Sequence, residues 1–284
     1  MSGGRSKVTA PAIRARKGSG RPIVALTAYD FPTAAALDEA GVEIILVGDS
    51  LGMVVLGHDT TLPVDMDAMV HHTAAVARAR PSALVVADMP FLSFSVSREE
   101  AVRNAGRLVR EGGAEAVKIE GRRGRTEAIR AIVEADIPVM GHLGLTPQAY
   151  HALGGFRVQG REQDAAGRLL DDLRAVEEAG AFSIVLEGLP EEVAGSLTAA
   201  ATVPTIGIGA GPRCDGQILV THDLIGMGRG PVPRFVRRYA DVSAVIVDAV
   251  RRYADDVVEG RFPGQEESYG SARPTRHPRK DRSA

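Results

Sequence analysis

The stretch Ile44-Ile45-Leu46-Val47-Gly48-Asp49-Ser50 decides the fold. It opens as a short apolar run with β-branched residues, the pattern of a strand buried on both faces. It stops at a glycine, a carboxylate and a hydroxyl. An unpaired carboxylate is costly to bury, so the acid at this strand end must be paired, solvated or bound to a cation. The arrangement recurs in Leu84-Val85-Val86-Ala87-Asp88, Ala116-Val117-Lys118-Ile119-Glu120 and Ser183-Ile184-Val185-Leu186-Glu187. Apolar runs that each end in an acid point to one acidic site assembled from several strands.

Outward from that stretch, strands and helices alternate. Ile23-Val24-Ala25-Leu26-Thr27 reads as a strand, and Thr33 to Ala40 as a helix stopped by Gly41. After the deciding stretch, Leu51 to Leu62 forms a loop longer than the usual βα connection, and Pro63 opens a helix through Met66, Met69, Val70 and Val76. Ser97 and Glu100 fit a capping box for a helix carrying Val102, Ala105, Leu108 and Val109, which stops at Gly112-Gly113. A helix follows around Thr126–Ala135, then the strand Pro138–His142 and a second long loop from Leu143 to Gln163. Residues 164–179 and 191–201 read as helices, Pro204–Ile208 as a strand, Ile218–Val220 as the weakest strand, and 241–258 as the last helix.

Such alternation means parallel pairing through βα units. Eight units in one chain predict a (β/α)8 barrel, with the active site at the C-terminal ends of its strands. All the strand-end acids lie there. One link is short: between Gly211 and Ile218 there is little room for a crossover helix, so the seventh unit is expected to be short or irregular. A doubly wound open sheet is the alternative architecture. The expected organisation is a flexible segment over 1–20, a barrel with its C-terminal helix over 21–263, and a disordered basic tail over 264–284.

The 284 residues are 44% hydrophobic and 25% charged with a net charge of -2, which argues against a general nucleic-acid binder. Arg5, Lys7, Arg14, Arg16 and Lys17 are followed by no apolar core of a secretory signal, and no run approaches the ~18 apolar residues of a membrane span. A cytoplasmic protein with no membrane contact is the expectation. The single cysteine, Cys214, forms no internal disulfide and no thiolate metal site by itself.

Asp49 and Asp88 end neighbouring strands, so a barrel sets both on one rim with Glu120 nearby. Oxygen-rich sites of this kind suit Mg²⁺. Each acid alone reads equally as a helix cap at a βα turn. Lys118 shares a strand face with Glu120, as an ion pair or as an electrophile gripping a substrate carboxylate or enolate. Ser50 reads first as a cap, although its hydroxyl can also hold a carboxylate beside a metal. His142 reads first as a packed neighbour of the site, with a ligand or an acid/base as the alternatives, and Cys214 reads as an inert thiol. Ile206-Gly207-Ile208-Gly209-Ala210-Gly211 lacks the full dinucleotide fingerprint.

Taken together, the motifs are more specific. Leu26-Thr27-Ala28-Tyr29-Asp30, Val47-Gly48-Asp49-Ser50-Leu51-Gly52, Ala87-Asp88-Met89-Pro90-Phe91, Lys118-Ile119-Glu120-Gly121, Gly141-His142-Leu143-Gly144-Leu145-Thr146-Pro147 and Ile206–Gly211 stand in one order. In that order the chain resembles the ketopantoate hydroxymethyltransferase family, from about residue 20 to about residue 268. The resemblance implies a Mg²⁺-dependent barrel of the phosphoenolpyruvate/pyruvate-binding superfamily. Such an enzyme transfers a one-carbon unit from 5,10-methylenetetrahydrofolate to 3-methyl-2-oxobutanoate, giving 2-dehydropantoate on the way to pantothenate and coenzyme A. It further implies Asp49 and Asp88 as metal ligands that also meet the substrate, with Glu120 reaching the metal through water. Ser50 and Lys118 would hold the oxo acid and Glu187 would be the base. The implied assembly is a homodecamer, a pentamer of dimers. Two rival readings remain: a carbon–carbon lyase of the isocitrate lyase type, whose catalytic cysteine loop this sequence lacks, and a non-catalytic barrel, which would be expected to have lost some of the acids.

Overall fold

A computed structural model describes residues 5–121, 123–156, 158–160, 164–228 and 232–269. The last fifteen residues of the expected tail, 270–284, lie outside the described residues, as do 1–4. By contact density the chain divides into two units, residues 1–240 and 241–284.

Within the first unit, strands β1 (Ile23–Thr27), β2 (Ile44–Val47), β3 (Leu84–Asp88), β4 (Ala116–Glu120), β5 (Val139–Gly144), β6 (Ser183–Glu187), β7 (Thr205–Ile208) and β8 (Gly216–Leu219) close a parallel barrel in chain order. Closure through the β1–β8 pair excludes the open doubly wound sheet. The helices are α1 (Ala10–Arg14), α2 (Phe31–Glu39), α3 (Leu51–Val54), α4 (Met66–Ala77), α5 (Arg98–Arg110), α6 (Thr126–Glu134), α7 (Tyr150–Leu153), α8 (Ala165–Glu178), α9 (Glu191–Ala200) and α10 (Thr221–Leu224).

The continuous apolar strands are explained by burial on both sides. Along β2, Ile44 and Leu46 join the interior core with Leu84, Val86, Met140 and Val185. Ile45 and Val47 instead pack outward with Val85, Val117 and Ile119, in the layer that holds the helices. The same alternation sends Asp88, Lys118, Glu120, His142 and Glu187 inward, each two or four residues beyond an inward apolar residue. Register then aligns them, since Asp88 pairs with Lys118 and Glu120 with His142 across adjacent strands.

Helix starts follow local chemistry. Asp30 caps α2 by accepting from the Thr33 N–H at 2.8 Å, and Ser97 caps α5 by accepting from the Glu100 N–H at 3.1 Å. The helix expected to open at Pro63 begins at Met66 instead. Asp65 accepts from the Ala68 N–H at 2.8 Å, and this side-chain cap fixes the start.

The seventh unit is short, as its spacing predicts. Among the described residues no helix lies between β7 and β8. The seven residues 209–215 make the return, helped by left-handed backbone at Gly209 (φ +60°) and Gly211 (φ +76°). Gly216 then lets β8 approach β1 closely, because a Cβ there would stand 2.5 Å from the Ile23 carbonyl oxygen.

The expectation of a flexible segment over 1–20 does not hold for its described part. Ala10 and Ile13 of α1 are buried in the interior core with Ile23 and Ile44, closing the barrel at the N-terminal ends of its strands. Polar ties surround this plug: Lys17 Nζ reaches Asp215 Oδ2 at 2.9 Å and the Thr198 carbonyl at 2.6 Å, and Arg16 pairs with Glu43 at 2.5 Å. Basic residues that look like a solvated arm in sequence are anchors once the barrel bottom supplies acids and carbonyls.

The second unit carries the helix α11 (Val242–Val258), started by Asp241, which accepts from the Ala244 N–H at 3.0 Å. None of its residues is buried, and Val245, Ile246, Val250 and Tyr253 are exposed.

Candidate active site

The C-terminal ends of the strands open onto a cavity of about 450 Å³. Asp49, Ser50, Asp88, Lys118, Glu120, His142 and Glu187 all line it. The structure therefore brings together every residue the sequence singled out for the site, and it leaves Cys214 out. That thiol lies by Thr198 and Thr205 near the opposite end of the barrel, and burial pushes its pKa up.

The floor is a dense ionic cluster. Lys118 Nζ lies 2.6 Å from Asp88 Oδ1, and Asp88 Oδ2 accepts the Asp49 backbone N–H at 3.0 Å. The Asp88 carboxylate is thus held by backbone and lysine, and neither Asp49 nor Asp88 caps a helix. Ser50 precedes α3 but makes no side-chain cap; its hydroxyl meets the Tyr29 hydroxyl at 2.8 Å. His142 bridges the two sides of the floor. Its Nδ1 is 3.3 Å from Lys118 Nζ, and its Nε2 is 3.3 Å from Glu187 Oε2, without the alignment of a formed hydrogen bond.

Two contributors escaped the sequence reading. Gln148 is buried, and its Nε2 donates to Asp49 Oδ2 at 2.9 Å and to the Met89 carbonyl at 2.9 Å. Its backbone N–H faces Glu120 at 3.3 and 3.2 Å from the two carboxylate oxygens. Tyr29 is buried behind Ser50, and burial raises its pKa, so the phenol stays protonated and can donate. Gln148 stands one residue beyond the Gly141–Pro147 motif and Tyr29 within Leu26–Asp30, so position was the available signal. Their partners are far away in sequence.

Charge balance explains the electrostatics. Burial, and then the Asp88 charge, raises the Asp49 carboxyl to about 7. Burial and the Asp49 charge hold Glu120 well above the usual carboxylate range. Burial opposes the charge on Lys118, but Asp88, Asp49 and Glu120 outweigh it and raise the ammonium pKa. His142 is lowered by burial and by Lys118, which favours the neutral imidazole. One ammonium faces three carboxylates, and the buried Asp88 Oδ1 has no well-directed hydrogen bond. A divalent cation fits this deficit. Among the described residues no three Asp, Glu, His or Cys groups enclose a metal by themselves. Such a donor set suits a cation that keeps waters and accepts substrate oxygens, as Mg²⁺ does.

A family model described as ketopantoate hydroxymethyltransferase matches residues 7–265. The chain belongs to the ketopantoate hydroxymethyltransferase family. The match begins ahead of α1, which agrees with that helix being part of the barrel. Similar relatives include a Pelobacter propionicus protein, 56% identical over 269 residues and covering 95% of this chain and all of its own length. A Moorella thermoacetica protein is 56% identical over 265 residues, covering 93% of this chain and 98% of itself. Both are called 3-methyl-2-oxobutanoate hydroxymethyltransferase. Among solved structures, phosphonopyruvate hydrolase in complex with oxalate and Mg²⁺ superposes with a TM-score of 0.59 at 18% identity, covering 92% of this chain and 93% of that one. A 2,3-dimethylmalate lyase gives 0.58 at 19% identity, covering 93% and 89%. At these identities the likeness is one of fold.

Proposed function

We propose that the chain transfers a one-carbon unit from 5,10-methylenetetrahydrofolate to 3-methyl-2-oxobutanoate, giving 2-dehydropantoate for pantothenate and coenzyme A synthesis. One observation carries this reading. In a chain of this family, Asp49, Asp88, Lys118, Glu120 and Glu187 converge on one cavity, with carboxylates on two sides of a buried ammonium.

Asp49 and Asp88 would hold a Mg²⁺ ion, with Glu120 in support. When bound, the cation supplies Lewis acidity toward the keto oxygen. Ser50, backed by the Tyr29 hydroxyl at 2.8 Å, donates to the substrate carboxylate. Glu187 removes the C3 proton, and the C–H electron pair forms the C2–C3 double bond while the carbonyl π pair moves onto the keto oxygen as the enolate forms. Lys118 places fixed positive charge where that oxygen becomes negative. C3 then bonds to the methylene carbon, whose two bonds to the donor nitrogens break; one water supplies the hydroxyl group, and its other proton and the C3 proton taken by Glu187 end on the two released nitrogens. Neutral His142, between Lys118 and Glu187, keeps the base and the ammonium apart.

A lyase that depends on a catalytic cysteine is disfavoured, because the single thiol lies away from the rim acids. The expected outcome of the direct assay is consumption of 3-methyl-2-oxobutanoate only when both the folate donor and Mg²⁺ are present. Consumption that ignores the donor would overturn the reading.

A cytoplasmic setting fits a chain with one cysteine and no internal disulfide to protect. We also propose self-association. The exposed apolar residues of α11 support it, as does Val24 on the outer wall of β1, which is 51% exposed. Light scattering is expected to give a mass several times that of one chain, with the decamer of the family resemblance as the leading candidate. A monomer at micromolar concentration would overturn this.

A further inference from the structure

The acids and lysine occupy only the floor of the cavity. At about 450 Å³ the space is of the size that takes a drug-sized ligand, whereas a branched five-carbon oxo acid fills a fraction of it. The remaining wall has a different character. Pro233 and Phe235 come from the chain after α10, Phe156 and Val158 from the segment after β5, and Asp223 from α10 itself. Phe235 packs against the end of β7, where Gly209 (φ +60°) leaves room; a Cβ at that glycine would stand 2.7 Å from the ring. Asp223 is half-buried, and burial raises its pKa. His222 and Arg238 are the charges that act on it, and no described residue donates a hydrogen bond to its carboxylate. Nothing in the floor chemistry uses these groups.

A free carboxylate beside an aromatic and apolar wall has a defined ligand preference. Two carboxylate oxygens match two adjacent N–H donors, in the paired geometry that makes charge-assisted hydrogen bonds strong. The aromatic wall matches a flat ring, by offset or edge stacking. An aminopyrimidinone fused into a bicyclic heteroaromatic offers both, and it is the head of the donor named under the proposed function. Arg234 lines the same cavity and is exposed, so it can meet an acidic tail.

We propose that the outer half of the cavity is the subsite for the one-carbon donor, with Asp223 accepting from the amino and ring N–H groups of its pyrimidinone edge and Phe235 packing on the ring. This rests on the reading under the proposed function. Asp223 is a binding residue for the donor and plays no part in holding the oxo acid.

The test uses the full chain with Mg²⁺ and two independent readouts. The first is the KM for 5,10-methylenetetrahydrofolate. The second is exchange of the C3 proton of 3-methyl-2-oxobutanoate with deuterated solvent, measured without the donor. For Asp223→Asn the donor KM is expected to rise about ten- to a hundredfold, the range for loss of hydrogen bonds to a charged group. The KM for the oxo acid and the exchange rate should stay at the wild-type value. Phe235→Ala should raise the donor KM in the same selective way, and Phe235→Tyr should restore it. A donor KM within twofold of wild type in both Asp223→Asn and Phe235→Ala overturns the subsite. So does a loss of exchange that parallels the loss of transfer. Failure of the wild type to exchange or to transfer overturns the underlying reading instead, and is recognised before any variant is made.

Discussion

Glu187→Gln is expected to lower turnover by about 10²–10⁴-fold, the usual worth of a positioned general base. The substitution keeps shape and hydrogen-bonding capacity but removes the ability to accept the C3 proton. Glu187 ends β6 across the cavity from Asp49, and the nearest described ionisable contact is His142 Nε2 at 3.3 Å. On the proposed reading 3-methyl-2-oxobutanoate is held by the other side of the floor, so its affinity should survive. NMR of C3 deuterium exchange without the folate donor reads the proton step alone. Equal exchange in wild type and variant would remove Glu187 from the role and turn attention to His142.

Asp88→Ala is expected to abolish Mg²⁺-dependent activity while the barrel still folds. Asp88 gives one oxygen to the Asp49 N–H and the other to Lys118, so it would organise both sides of the proposed cation position. A thermal readout separates metal from catalysis. Asp49 and Glu120 have folded-state pKa values above the unfolded range. Their contribution to stability is full below the unfolded carboxylate pKa of about 4 and is lost as pH rises through the folded values, near 7 for Asp49. Metal-free protein should therefore melt at lower temperature as pH climbs from 5 to about 8. Added Mg²⁺ should flatten that slope in the wild type and leave Asp88→Ala unmoved. Full activity of the variant at ordinary Mg²⁺ would refute the assignment.

Much of the architecture was legible because a parallel barrel writes its strands as continuous apolar runs. The acids were legible as a set because each closed such a run, where burial without a partner is too costly to be accidental. The remainder depended on contacts that no local pattern encodes. Ile13 sits among Arg14, Arg16 and Lys17, and only the barrel floor makes it a core residue. β8 begins at Gly216, two residues before the first apolar position of its predicted run, because the close approach to Ile23 needs a glycine. Gln148 acquires its meaning from Asp49 and Glu120, one strand end and a long loop away. Asp223 lies in a four-residue helix whose sequence announces nothing; only the cavity wall singles it out.

The plug formed by α1 also settles how the molecule can be handled. Residues 7 and 8 lie at the closed end of the barrel, with Lys7 Nζ on the Ala83 carbonyl at 2.7 Å and the Val8 N–H on the Ser82 carbonyl at 2.7 Å. Both carbonyls lie just ahead of β3, on the side away from the rim acids. A carrier domain, an affinity handle or a solid support joined ahead of Arg5 therefore grips the molecule by its base. The mouth of the cavity lies at the other end of the barrel, so a film held in this way is expected to present it to the flowing solution.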